Sequence, residues 1–207
     1  LLPVARVSNT VVALAVPSAL KVQSLNELMQ LVREAPGKLN FTAVTNVYDI
    51  VFNAYFKSSG LNMVKVSYKD TVSALNDLVE NRIQLYSAAY AIVRTQAQAG
   101  RVRVLAIHNR TRAPGLDIPT AAEAGFPQLE LDGLVGVVAA RSSGISDAVR
   151  EKIAADMRAH SSDPQIAERM TATGQIVNPG SPAEFAAAIE EQAAALARHA
   201  KVLGAKK

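Results

Sequence analysis

The chain has 207 residues, no cysteine, and 22 Lys+Arg against 18 Asp+Glu, for a formal net charge of +4. Hydrophobic residues make up 49% and charged residues 19%, so a sizeable core can be buried and global disorder is excluded. The lack of cysteine rules out thiol catalysis, disulfides and Cys-ligated zinc. The basic residues are scattered (Arg101, Arg103, Arg110, Arg112, Arg141, with a small cluster at Lys201, Lys206 and Lys207) and form no stripe of the kind nucleic acid requires.

The opening "LLPVARVSNT" lacks the basic start and cleavage site of a secretory signal, and reads as a strand already under way. No apolar run approaches the roughly 20 residues needed to span a bilayer. Val11–Val16 is an apolar run that predicts a buried strand. Ser24-Leu-Asn-Glu27 is a capping box; it opens a helix with Leu28, Leu31 and Val32 on one face, ended by Pro36-Gly37. Strands follow at Leu39–Val44, Val64–Tyr68, Ile83–Ser87 and Val102–Ile107. They alternate with helices at Tyr48–Ser58, Thr71–Glu80 and Tyr90–Ala99. Strand and helix in regular alternation predict a parallel sheet with helices on both faces.

"LDIPTAAEAGFP" then predicts a very short helix closed at both ends. Thr120 and Glu123 form a capping box, Pro119 fixes the entry, and Gly125 supplies a left-handed exit before Phe126-Pro127. Beyond it, Leu129–Val138 predicts one long or kinked strand containing Gly133 and Gly136. Helices are expected over Asp147–His160 and from Asp163-Pro164 to Thr173, and a short strand over Gln175–Asn178. Ser181-Pro182-Ala183-Glu184 is a third capping box, with proline at the first helical position, and opens an alanine-rich helix to about Val202. Two strands are too few for a separate α/β domain, so this tail must pack against something else.

Catalytic signatures are missing. No Gly-rich phosphate loop follows a strand, there is no G-x-S-x-G elbow, and His108, His160 and His199 lack metal-ligand spacing. No enzyme, metal or cofactor is expected. His160 and His199 fall near predicted helix C-termini, where the dipole favours a cation; His108 ends a strand. What remains are the strand-to-helix junctions, where open sheets bind ligands. Three carry small or polar residues: Thr42-Ala43-Val44-Thr45-Asn46 with Tyr48 and Asp49, then Asp70-Thr71, then Ser87. The helix starts behind them offer unpaired N–H groups and a positive dipole end to a carboxylate, while Asp49, Asp70, Thr71 and Ser87 are equally readable as caps.

Five stretches, in order along nearly the whole chain, carry a resemblance. "LLPVARVSNTVVALAVPSAL", "VQSLNELMQLVREAPGKLNF", "VKVSYKDTVSALNDLVENRIQL", "AQAGRVRVLAIHNRTRAPGLDIPTAAEAGFP" and the tail "SDPQIAERM…GSPAEFAAAIEEQ" resemble the Bug/TctC family of solute receptors for tripartite tricarboxylate transporters. The resemblance implies an α/β fold of the type II periplasmic-binding-protein kind. It has two lobes with open, mostly parallel sheets flanked by helices, and no catalysis. It further implies a periplasmic location, a small organic acid as ligand and membrane permease subunits as partners. Lobe two would span residues 10–127, with 1–9 and 128–207 the remainder of lobe one. The family carries about 90 more residues on the amino side, a size consistent with two lobes, so lobe one is expected to be incomplete and a second chain could complete it.

One loop departs from the family. Its Gly/Ser-rich ligand loop, of the form "YGSSG.GS", stands here as "FTAVTNVYDIV". Glycines let backbone amides converge on an anion; Val44, Val47 and Tyr48 narrow that space instead, and Asp49 would repel a carboxylate. Two rivals share the fold: the effector-binding domain of a LysR-type regulator, and an interaction module that has lost ligand binding.

Overall fold

A computed structural model describes residues 1–204; Lys206 and Lys207 of the basic cluster lie outside the described residues. Two sheets carry the fold. The chain begins in strand β1 (Leu2–Thr10), passes a single residue, Val11, and continues as β2 (Val12–Pro17) in the other sheet. Then come α1 (Leu25–Glu34), β3 (Asn40–Ala43), α2 (Asn46–Ser59), β4 (Val64–Lys65), α3 (Thr71–Val79), β5 (Leu85–Ala89), α4 (Tyr90–Gln98) and β6 (Val102–Ile107). The larger sheet has five strands in the order β4-β3-β5-β2-β6.

Every residue of β2 is buried, because the sheet is covered on both faces. Val12, Leu14 and Val16 point into one core with Phe41, Phe52, Leu85 and the inner faces of α1 and α2. Ala13 and Ala15 point into a second core with Leu78, Tyr86 and Val93 from the α3 and α4 side. That period of two explains why the run shows no polar alternation.

The strand directions are mixed, where strand–helix alternation alone predicts a parallel sheet. β3 pairs parallel with β4 and β5, but β2 runs antiparallel to both β5 and β6. The reason is the entry: β2 follows β1 with no crossover helix, so it enters the sheet from the opposite end. β4 is also shorter than expected and holds only two paired positions, against Asn40 and Phe41 at the sheet edge.

After β6 the Thr120–Glu123 capping box forms as expected: Glu123 N–H donates to Thr120 Oγ1 at 3.1 Å and Thr120 N–H to Glu123 Oε2 at 2.8 Å. It closes a single turn and no α-helix, since one turn fixes several dihedrals for very few hydrogen bonds. Gly125 exits at φ +92°. The chain then runs into β7 (Gly133–Ala139), α5 (Asp147–Ser161), α6 (Pro164–Ala172), β8 (Gln175–Gly180) and α7 (Pro182–Leu203). Ser181 and Glu184 make the full reciprocal cap at the start of α7. The two tail strands flank β1, giving a three-stranded sheet in the order β7-β1-β8 that is antiparallel throughout.

The crossing between the sheets is pinned. Val11 N–H donates to Gly174 O and Val11 O accepts from Tyr90 N, both at 2.8 Å. Asn109, fully buried just past β6, clamps the flanking peptides: its Oδ1 accepts from Val12 N at 3.0 Å and its Nδ2 donates to Thr10 O at 2.9 Å. A side-chain carboxamide thus replaces the neighbouring strand where β1 leaves one ladder and β2 joins the next. Asn109→Ala strands two backbone groups. We expect a loss of about 2–4 kcal/mol in urea unfolding.

Candidate functional site

The junction after β3 opens onto two hollows that share Val44. The smaller, about 90 Å³, is a groove bounded by Thr42, Ala43 and Val44 on one side and by Tyr68, Lys69, Asp70 and Thr71 on the other. The larger, about 290 Å³, is a cleft between the two sheets. Val44, Thr45, Val47 and Tyr48 form one wall, and Thr10, Asp132, Gly133, Leu134 and Gln192 the facing one, with Val12 and Ala89 completing it.

The ten expected site residues are therefore divided. Thr42, Ala43, Asp70 and Thr71 reach the groove; Thr45 and Tyr48 reach the cleft; Val44 reaches both. Asn46, Asp49 and Ser87 line neither. Asn46 is the exposed first residue of α2. Asp49 is buried, and its Oδ2 lies 2.5 Å from Lys65 Nζ in an ion pair. Its charge is thus turned toward Lys65, which corrects the expectation that it repels a ligand.

Ser87 is also turned inward. It is fully buried, with Oγ 3.0 Å from His108 Nε2, while His108 Nδ1 lies 2.6 Å from Leu129 O. A carbonyl can only accept, so Nδ1 carries the proton and Nε2 accepts from the Ser87 hydroxyl. The imidazole is neutral and structural; burial pushes its pKa down to about 4. Asp70 is an α3 cap: its Oδ1 accepts from Ser73 N at 2.8 Å. This bond and a second from the Ser73 hydroxyl hold its carboxyl below the ordinary range.

α2 differs from α3 at its start. Its N-cap, Thr45, makes no side-chain cap bond, so the first-turn amides beside Val47 and Tyr48 have no capping side chain at the cleft wall. The Tyr48 ring lies tilted against His108 with centroids 4.6 Å apart, and its hydroxyl reaches Leu131 O at 3.4 Å. Burial, with the Asp132 carboxylate nearby, raises its pKa, so the phenol is a neutral donor.

The facing wall was not anticipated in the sequence. Gln192 Nε2 donates to Asp132 O at 2.6 Å, tying α7 to the segment before β7. A glutamine inside an alanine-rich helix was the available signal. Gly133 is required by close approach: a Cβ there would lie 2.8 Å from Thr10 O. Among the described residues no cluster of three or more His, Cys, Asp or Glu is gathered for a metal, and no helix is long and apolar enough to cross a membrane.

Comparison with known proteins gives the family and the fold. The family model described as "Tripartite tricarboxylate transporter family receptor" matches residues 1–204. A UPF0065 protein from Pseudomonas sp. (strain P51) is 27% identical over 185 residues, covering 87% of this chain and 54% of the relative. The chain thus spans about half the length of the curated relatives it matches. An R. palustris protein solved with adipate superposes with a TM-score of 0.84 at 25% identity, over 98% of this chain and 68% of that one. The periplasmic binding protein BugD shares the fold, with a TM-score of 0.77 at 24% identity, over 99% of this chain and 70% of that one.

The buried neutral histidine sets a pH dependence. The unfolded chain takes up a proton near pH 6.5, whereas the folded site resists until about pH 4. Between those values the unfolded state binds more protons, so stability falls as pH falls. Urea midpoints measured from pH 7 to 4 should show a loss of about 3 kcal/mol from this group. His108→Asn should flatten that part of the curve.

Proposed function

The chain belongs to the tripartite tricarboxylate transporter receptor family, and from that membership we propose that it captures a small organic acid in the cleft between its two sheets. The observation that carries this reading is the α2 start, free of a side-chain cap, on a cleft wall. Unpaired amides at a positive helix end are a carboxylate cradle, and the cleft's volume of about 290 Å³ sits at the lower edge of ligand pockets. The adipate bound by the R. palustris protein supports the same ligand class.

The reading extends to location and partners. The receptor works in the periplasm and delivers its ligand to membrane permease subunits, with no chemical step. Residues 10–127 form lobe two; 1–9 and 128–207 belong to lobe one. A second chain completing lobe one fits this picture. β7 is an edge strand paired only with β1, and its Val135, Val137 and Val138 are exposed.

Isothermal titration against mono- and dicarboxylates tests the site. Heat is expected with at least one acid. Val47→Trp, which fills the cleft from its α2 wall, should abolish that heat while leaving the unfolding midpoint nearly unchanged. Binding that survives this substitution would place the ligand elsewhere.

A further inference from the structure

β6 ends the five-stranded sheet, and its outer edge is covered at one end only. At that end Ile107 N–H donates to Pro119 O at 2.9 Å and Ala121 N–H to Ile107 O at 2.7 Å. The other end lies beside Pro17, at the tip of β2 far from the three-stranded sheet. Pro17 has no N–H, and Ser18 N–H donates to Arg101 O at 3.0 Å, so the Pro17–Val102 pair is the kind that exchanges no bonds. Two residues on, Val104 opposite Ala15 is of the same kind. Val102 and Val104 therefore turn their N–H and C=O groups outward, where no loop of the described residues pairs with them. They border a hollow of about 300 Å³ walled by Ser18, Tyr90, Ala97, Gly100 and Ile118. An unpaired strand edge beside a hollow is a seat for another strand.

The same corner is basic. Residues 1–26 and 81–116, which supply β2, α4 and β6, contain no Asp or Glu. Lys21, Arg101 and Arg103 are exposed around the open end and join none of the ion pairs among the described residues. Asp117, next to Ile118, is already paired with Arg112 at 3.5 Å. Val102 and Val104 pack their side chains with Leu78, Tyr86 and Val93, and Arg103 between them points to the other face. We propose that this edge docks an extended segment of a partner protein in which acidic and apolar residues alternate. The segment adds a strand beside Val102–Val104. Side chains opposite each other across a strand pair share a face, so its acids meet Arg101 and Arg103 while its apolar residues enter the hollow on the α4 side. A lipid surface also attracts arginines, but two outward peptide groups at strand spacing match a chain and not a headgroup. The surface shares no lining residue with the hollows at the β3 junction, so it stands apart from the carboxylate reading.

The test is fluorescence anisotropy with a labelled, end-capped peptide of alternating glutamate and valine. Titrating the chain into it should give saturable binding, about tenfold or more tighter than for the same peptide with lysine in place of glutamate. Methylating the glutamate amides and, separately, the valine amides should leave one peptide binding and abolish the other, because alternate amides of an added strand face the edge. Arg103→Glu changes an exposed side chain without an ion pair, so the circular dichroism spectrum should persist while the acidic peptide loses its advantage over the basic one. No saturable binding of the acidic peptide overturns the proposal. Binding indifferent to both methylations also overturns it, since that is charge attraction alone, and so does binding indifferent to Arg103→Glu. Co-sedimentation with phosphatidylserine vesicles by a chain that ignores the acidic peptide assigns the basic corner to a lipid surface instead.

Discussion

The structure depends on how one strand serves two sheets. β1 and β2 are separated only by Val11, and around that residue the backbone must leave one hydrogen-bonded ladder and join another while fully buried. A buried amide without a partner is costly. Here Asn109 supplies both a donor and an acceptor, to Thr10 O and Val12 N, and Val11 itself bonds to Gly174 and Tyr90. Four separate parts of the chain therefore meet at one crossing: the β1–β2 strand, the start of α4, the end of β6 and the turn before β8. The orientation of each sheet's loops toward the other follows from that junction.

The cleft is a direct consequence. Thr10 and Val12, on either side of the crossing, are also cleft residues, so its floor is the crossing itself. The α2 start reaches it because β3 lies beside β5, which in turn pairs with β2. The facing wall reaches it because Gly133 lets β7 approach Thr10 more closely than any side chain would allow. Gln192 then fixes α7 to the same segment. Cleft geometry and fold stability thus share residues, and a change at the crossing would move both walls.

Much of this fold was legible in local chemistry. The capping boxes at Thr120 and Ser181 form with the expected partners. At Ser24 the cap bond forms, although Glu27 reaches back to Gln23 N–H rather than to the cap's own amide. The apolar run from Val11 is a strand buried on both faces. What the sequence could not show was direction and distance. Strand–helix alternation implied a parallel sheet, yet β2 runs antiparallel because the chain enters it from the other sheet. Asp49 looked like a ligand-facing acid, but Lys65, sixteen residues on, takes its charge. Ser87 and His108 bond to each other across 21 residues and so leave the surface. Asp132 and Gln192 carry no local motif; only the meeting of the two sheets brings them opposite Thr45 and Tyr48.

Those same pairings explain why the cleft has so simple an electrostatic character. Directly behind Tyr48 stands a neutral imidazole, kept uncharged by burial. Tyr48 itself stays protonated. Had His108 been cationic, it would have offered any anion a partner just beneath the wall, and the single carboxylate at Asp132 would have been masked. Aromatic and aliphatic packing around Phe52 and Phe41 keeps water from that layer, so the local dielectric is low and the few fields that remain act at greater strength. With His108 neutral and Asp49 paired to Lys65, the charged side chain that remains on the cleft wall is Asp132.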